Sequence, residues 1–107
     1  MKFGLSDAAI ATIHAAFKKY PAIERAVIYG SRAKGNYKQG SDIDLTLFGE
    51  GLTADILMRI AQVLDDSMLP YLVDISVFDH LDNANLREHI LRVGLVFYEW
   101  SEAQDEQ

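Results

Sequence analysis

Apolar side chains recur along the chain in two helical stripes. The first stripe follows Ser6, a residue type that often caps helices, and consists of Ile10, Ile13, Phe17 and Tyr20. The second stripe lies between Thr53 and Pro70 and consists of Ile56, Leu57, Ile60, Val63 and Leu64. The spacing predicts an amphipathic helix for each stripe, the second ending near Ser67.

Other segments have the pattern of β-strands. Residues 26–29 form a short β-branched and aromatic run that Gly30 and Ser31 end, and this predicts a buried strand. From Ser41 the polar Asp42, Asp44 and Thr46 alternate with apolar residues, which predicts a strand with one apolar and one polar face. Residues 72–78 alternate in the same way and carry Asp74 on their polar face. A short edge strand is expected at residues 95–98.

The remaining segments complete the predicted fold. Residues 32–40 are expected to form a loop with one helical turn at its start, because the segment holds Gly35, Asn36 and Gly40. Asn85 with Glu88 resembles a capping box and predicts a last helix that Gly94 ends. The order α-β-β-α-β-α predicts an α/β fold of the α+β type, a small mixed sheet flanked by helices.

Length and composition bound the organisation of the chain. A chain of 107 residues, half of them hydrophobic, is long enough for one small globular domain, which we place at residues 1–100. Residues 101–107 contain no large apolar side chain and are expected to be a disordered tail. The absence of cysteine excludes disulfides and thiolate metal sites. Without a signal segment or a membrane-length apolar run, we expect a cytoplasmic protein with no membrane partner.

The charges are unevenly distributed. A net charge of −6 disfavours direct, non-specific binding of nucleic acid by the chain as a whole. Arg32, Lys34 and Lys38 nevertheless lie within seven residues of one another, in a stretch without acidic residues. The sequence therefore predicts a local basic loop on an acidic protein.

Three aspartates are candidates for metal binding. Residues two apart on a strand project to the same face, so Asp42 and Asp44 are expected to point the same way, about 7 Å apart. If the strand of Asp74 pairs with theirs, the third carboxylate joins them. Clustered carboxylates repel one another unless cations neutralise them, and Mg²⁺ is the natural cation for oxygen ligands and phosphate. Two such ions can clamp the oxygens of a phosphoryl displacement.

The end of the first strand supplies a candidate phosphate site. Gly30 lets a ligand approach the backbone closely, and Ser31 offers a hydroxyl and an amide donor. The basic side chains of the loop add positive charge over the same opening.

Together these residues resemble a known signature. Gly30-Ser31-Arg32-Ala33-Lys34-Gly35, Ser41-Asp42-Ile43-Asp44-Leu45 and Asp74 between apolar neighbours look like the motifs of the nucleotidyltransferase superfamily that includes DNA polymerase beta. The small size of the chain and the residues of the first motif resemble those of its minimal nucleotidyltransferase (MNT) branch. The resemblance runs from the first helix to about Tyr98 and implies the nucleotidyltransferase fold.

The resemblance also implies an activity. MNT proteins typically act as antitoxins to a HEPN-domain toxin encoded nearby, and some transfer AMP from ATP to a tyrosine of that toxin. By this likeness Asp42, Asp44 and Asp74 are the metal-binding and catalytic residues, with two Mg²⁺ ions as cofactors, and Asp74 is also the candidate base. Gly30 and Ser31, with Arg32 and Lys34, are the nucleotide-binding residues.

Other interpretations stay open at this point. The carboxylates of an isolated Asp-x-Asp are more often the solvent face of a strand, and basic loops are ordinarily solvated. A non-catalytic antitoxin that neutralises its partner by complex formation has the same sequence features, whereas transfer to a small molecule is disfavoured because we see no acceptor domain. We expect structural or exposed roles for the histidines, and core or partner-facing roles for Tyr29, Tyr71, Phe97, Tyr98 and Trp100.

Overall fold

A computed structural model describes residues 2–101 of the chain, and four helices, four strands and one 3₁₀ turn make up the described part. In chain order these are α1 (Asp7–Lys18), β1 (Arg25–Tyr29), α2 (Ser31–Lys34), β2 (Ile43–Phe48), α3 (Ala54–Asp66), β3 (Val73–Val77), the 3₁₀ turn (Phe78–His80), α4 (Ala84–Val93) and β4 (Leu95–Glu99). The predicted order of helices and strands is confirmed.

The four strands form one mixed sheet in the order β3-β2-β1-β4. Strand β1 lies between β2 and β4 and is antiparallel to both. Strand β3 is parallel to β2, and α3 makes the crossover that a parallel pair requires. The predicted fold class and the predicted edge position of β4 are therefore confirmed.

One face of the sheet packs against α1 and α3 and forms the main core. The apolar residues Ile43, Leu45 and Leu47 of β2 are fully buried on this face, as their alternation predicts. The Ser6 side chain caps α1 by accepting from the Ala9 amide, and Thr53 caps α3 in the same way. The two caps fix where both core helices begin.

The opposite face is only partly covered. Val27, Phe78 and Ile90 form a second, smaller apolar cluster where α4 packs on this face. Thr46 is fully buried beside the cluster, and its hydroxyl accepts a hydrogen bond of 3.0 Å from the Ser76 hydroxyl. The rest of this face, towards the start of β2, carries the aspartates.

Two expectations concern the C-terminal part of the chain. The predicted cap of α4 at Asn85 is wrong, since Asn83 caps the helix by accepting from the Leu86 amide at 3.0 Å. Residues 102–107 of the predicted tail lie outside the described residues, and Ser101 has no regular secondary structure. Within residues 2–101, no helix combines the length and the apolarity that a bilayer crossing requires.

Candidate active site

The sheet register aligns the candidate aspartates across neighbouring strands. Asp44 of β2 is the direct partner of Asp74 on the parallel strand β3 and of Tyr29 on the antiparallel strand β1. Asp42 directly precedes β2. Asp42 and Asp74 are exposed, whereas Asp44 is half-buried between its neighbours. The structure therefore brings the three predicted carboxylates to one end of the uncovered face.

The carboxylates influence one another electrostatically. Burial raises the pKa of Asp44, and the negative charges of Asp74 and Asp42 raise it further. Within residues 2–101 the structure shows two ion pairs, Arg59–Asp55 and Arg92–Glu88, and neither involves these aspartates. Asp44 therefore lies in a negative field that basic side chains of the described chain do not neutralise by direct pairing.

Gly30 and Ser31 directly adjoin this cluster. Gly30 has φ 74° and ψ −153°, a conformation available essentially to glycine alone. A Cβ atom on Gly30 would lie 2.6 Å from Oδ2 of Asp44, so the bare glycine leaves room for the carboxylate. Ser31 begins α2, and Gly35 ends this short helix in a left-handed conformation. The Gly-Ser motif and the carboxylates thus form one continuous surface.

Tyr29 belongs to the same cluster, although its residue type alone did not point to the site. Burial raises the pKa of Tyr29, the charge of Asp44 adds to this, a hydrogen bond with Ser76 acts against it, and Asp74 raises it slightly more. Its ring also meets the His89 ring edge-on, with 6.3 Å between centroids. Tyr29 lies on the aspartate face because β1 pairs with β2 so that Tyr29 is directly opposite Asp44. The sequence of β1 gives no alternating signal for this, since residues 26–28 are all buried.

Arg32 does not lie where a phosphate ligand is expected. The side chain is 3% exposed, and its guanidinium donates to the backbone carbonyls of Ser41 and Phe3. The guanidinium is therefore turned into the protein, and the nucleotide-binding role of Arg32 that the resemblance implied stays a prediction. Lys34 and Lys38 are exposed beside the site, and Lys34 remains a candidate for nucleotide binding.

The histidines are placed away from the carboxylate cluster or at its margin. His14 lies 2.8 Å from the Phe97 carbonyl through Nε2, and burial lowers the pKa of its imidazole. His80 is exposed and His89 contacts the Tyr29 ring. A groove of about 780 Å³ along α4 is lined by Leu81, Leu91 and neighbouring residues, and Asp42, Asp44 and Asp74 are not part of its lining. The exposed carboxylates of Asp42 and Asp74 face solvent outside this groove.

The chemistry of the cluster fits Mg²⁺ held jointly by protein and substrate. In the part of the chain that the structure describes, no group of three acidic, histidine or cysteine side chains converges closely enough to hold a metal ion alone. Mg²⁺ usually binds through one or two carboxylates together with waters and substrate phosphates, so a complete protein cage is not required. The raised pKa of Asp44, caused partly by its carboxylate neighbours, is consistent with a place for a cation.

Comparisons with known proteins agree with this arrangement. The family model described as "Polymerase beta, Nucleotidyltransferase" matches residues 11–103. No curated protein matches the chain. A solved structure described as a minimal nucleotidyltransferase has a TM-score of 0.66 and 27% identity, covering 89% of this chain and 95% of that one.

Two further solved structures share the fold. A chain of a toxin–antitoxin complex with AMP-PNP has a TM-score of 0.68 and 19% identity, covering 91% of this chain and 77% of that one. A chain of the complex between tri-AMPylated Shewanella oneidensis HEPN toxin and MNT antitoxin has a TM-score of 0.66 and 16% identity, covering 95% and 78%. Because the family match includes all three aspartates and the Gly-Ser motif, the chain belongs to the polymerase beta nucleotidyltransferase family and is a nucleotidyltransferase.

Proposed function

We propose that this nucleotidyltransferase moves AMP from ATP to a hydroxyl, that of a tyrosine, on a HEPN-domain partner and thereby acts as its antitoxin. The observation that carries the proposal is the contact between the two motifs: Gly30 lies against the Asp44 carboxylate, and Asp74 lies beside Asp44 in register. A nucleotide held at the Gly-Ser motif has its phosphates next to the carboxylates.

The residues have separate tasks in this reaction. Asp42 and Asp44 would hold Mg²⁺ with Asp74 as third ligand, and the bound ions would neutralise the phosphate charge. Gly30 and Ser31 bind the triphosphate and fix its α-phosphorus near the acceptor. The acceptor oxygen forms a bond to that phosphorus, the bond to pyrophosphate breaks, and the hydroxyl proton passes to Asp74. Positioning and charge neutralisation supply the catalysis.

The nature of the acceptor is supported by the relatives. One solved structure of this fold is a toxin–antitoxin complex with AMP-PNP, and another contains a tri-AMPylated HEPN toxin. The open surface around Asp42 and Asp74, both exposed, is suited to an acceptor side chain presented by another protein. These observations favour a protein acceptor, and the net charge of −6 disfavours nucleic acid.

Intact-mass measurement tests the proposal. The protein encoded next to this gene is co-expressed with the parent chain, with the Asp42→Asn/Asp44→Asn double variant, and with Asp79→Asn as a control for loss of one exposed charge. We expect a mass increase of one or more adenylyl units with the parent and the control, and none with the double variant. An unmodified partner in a stable complex with all three chains would instead favour neutralisation by binding alone.

A further inference from the structure

We infer that Arg32 is a positioning residue: it holds the Gly30-Ser31 motif and the segment that leads into Asp42 at a fixed distance from each other. The inference rests on the proposed function, because that reaction assigns nucleotide binding to the Gly30-Ser31 motif and metal binding to Asp42. It replaces the direct phosphate contact that the sequence predicted for Arg32.

The contacts of Arg32 reach across the site's scaffold. Its Nε and Nη2 atoms both donate to the Ser41 carbonyl oxygen, at 3.1 and 2.7 Å. Its Nη1 atom donates to the Phe3 carbonyl oxygen at 2.8 Å. The guanidinium carbon lies 5.1 Å from the centre of the Tyr37 ring and 5.0 Å from that of Tyr71. One side chain of α2 therefore contacts three other segments: the N-terminal segment at Phe3, the loop that holds Tyr37 and Ser41, and the segment before β3 at Tyr71.

The position of Arg32 in the chain gives these contacts a functional consequence. Arg32 directly follows Ser31 in α2, and Ser41 directly precedes Asp42. The double hydrogen bond thus fixes the distance between the phosphate-binding motif and the first carboxylate. Within residues 2–101, the other hydrogen bonds of Ser41 are with Lys38, three residues away in the same loop, and they do not reach the site.

Lysine is a poor substitute at this position. A guanidinium is planar, carries five N–H donors and stacks on aromatic rings, whereas an ammonium is a compact point charge. A lysine at position 32 keeps the positive charge but loses the paired donors to Ser41 and the fit beside Tyr37 and Tyr71. The substitution Arg32→Lys therefore distinguishes the effect of the guanidinium's geometry from the effect of its positive charge.

The chain offers a matched control in Arg87. Its Nη1 donates to the carbonyls of Phe78 and Leu81 at 2.9 and 3.2 Å, and its guanidinium stacks over the Phe78 ring at 4.3 Å. Arg87 thus uses the same chemistry, two carbonyls and an aromatic ring, away from both motifs. Arg87→Lys measures what the loss of such a network does to folding alone.

Steady-state kinetics of adenylyl transfer, with ATP and the partner varied separately, provide the first readout. We expect Arg32→Lys to lower kcat by about 10- to 100-fold, as small misplacements of reacting groups do, with KM for ATP within about threefold of the parent. Arg87→Lys should lower the unfolding midpoint to a similar extent and leave kcat within about twofold. A rise in KM for ATP with unchanged kcat would identify a phosphate contact, and equal kcat for both variants would identify a purely structural role. Either result overturns the inference.

Hydrogen exchange provides a second readout that needs no activity. We expect faster deuterium uptake across residues 36–42 in Arg32→Lys and parent-like uptake there in Arg87→Lys. Parent-like uptake in both overturns the inference, even when the parent proves inactive and the proposed function itself fails. If Arg32→Lys does not fold, Tyr37→Leu removes one ring beside the guanidinium at the partly exposed surface, and the same two readouts apply.

Discussion

Gly30 and Asp44 lie so close together that a single added methyl group would meet the carboxylate, 2.6 Å from Oδ2. Gly30 directly follows β1, and Asp44 lies on the adjacent antiparallel strand β2 as the partner of Tyr29. The Gly-Ser motif and the aspartate motif therefore have no side chain between them at this point. This contact explains why the motif requires glycine for its shape as well as for its backbone angles.

Gly30→Ala should abolish transfer. The new methyl group displaces Asp44, and we expect kcat to fall by about 100-fold or more. The backbone conformation adds a cost of about 1–3 kcal/mol in the free energy of unfolding. Gly35→Ala is the control, because Gly35 also has positive φ but no atom lies within 4 Å of an added Cβ. Equal loss of kcat in the two variants would contradict the contact as the cause.

Asp44→Asn should make the metal-free protein more stable while it inactivates the enzyme. The raised pKa of Asp44 means that the folded state binds the proton more tightly than the unfolded state, so ionisation at neutral pH costs stability. Urea unfolding in EDTA should therefore show a more stable variant at pH 7, and the advantage should shrink as pH falls through the folded pKa of Asp44 and vanish below its unfolded pKa. Transfer should fall by at least about 100-fold, since even residues that only support metal ligands contribute about 10- to 100-fold.

A matched substitution at an exposed aspartate checks the origin of that gain. Asp79 is exposed in the 3₁₀ turn, and Asp79→Asn should change the free energy of unfolding by less than about 0.5 kcal/mol. A similar gain from both substitutions would attribute the effect to the protein's net charge. No gain from Asp44→Asn would show that the carboxylate cluster is not a source of repulsion.

Ser31→Ala should weaken ATP binding and slow transfer. Loss of one hydrogen bond to the triphosphate corresponds to about 1.5–3 kcal/mol for a charged partner, or roughly 10- to 150-fold in affinity. Titration of ATP into the variant and the parent measures this loss of ATP affinity. Ser6→Ala, which removes the cap of α1, should lower stability and leave ATP affinity unchanged. Superimposable titration curves for Ser31→Ala and the parent would remove Ser31 from the site.

His14 should make stability depend on pH near neutrality. Burial depresses the pKa of the imidazole in the folded state, so below about pH 6.5 the unfolded chain takes up a proton that the folded chain resists. The parent should therefore lose stability as pH falls from 7.5 to 5.5, and His14→Gln, which can still donate to the Phe97 carbonyl, should lose less. Urea unfolding at the two pH values tests this, and identical pH dependence in both proteins would refute it.

Asn83→Ala should cost about 1 kcal/mol in the free energy of unfolding, as removal of an N-cap generally does. Asn85→Ala, inside the first turn of α4, should cost less than about 0.5 kcal/mol or stabilise slightly, because alanine is the better helix former. Thermal unfolding of the two variants compares them directly. A larger loss from Asn85→Ala would contradict the position of the cap.

The same pair of asparagines shows where sequence patterns stop being sufficient. The alternation of β2 and β3 predicted which side of each strand is buried, because period-two patterns follow directly from strand geometry. The cap of α4 was misplaced because Asn83 and Asn85 are chemically equal candidates and the Asn85–Glu88 spacing also resembles a capping box. Side-chain chemistry alone does not show which of two asparagines, two residues apart, caps the helix.

Arg32 and Tyr29 show a second limit, which arises from long-range contacts. A lone arginine in a glycine-containing loop is ordinarily solvated, and its burial here depends on Phe3 and Tyr71, far away in sequence. Tyr29 faces the aspartates because the register of β1 and β2 places it opposite Asp44. The residues of the loop between the two strands do not predict that register. The Gly-Ser and aspartate motifs were found because their residue types and spacing are themselves distinctive.

The sheet order has a consequence for how the site holds together over time. Asp44 belongs to β2, which has a strand on either side, whereas Asp74 belongs to β3, which lies at the edge of the sheet formed by residues 2–101. Edge elements generally open more often than central ones in native-state fluctuations. We therefore expect local opening of the sheet edge to displace Asp74 more often than Asp44. We expect a nucleotide that contacts both strands to suppress this local opening of β3, in addition to stabilising the whole domain against unfolding.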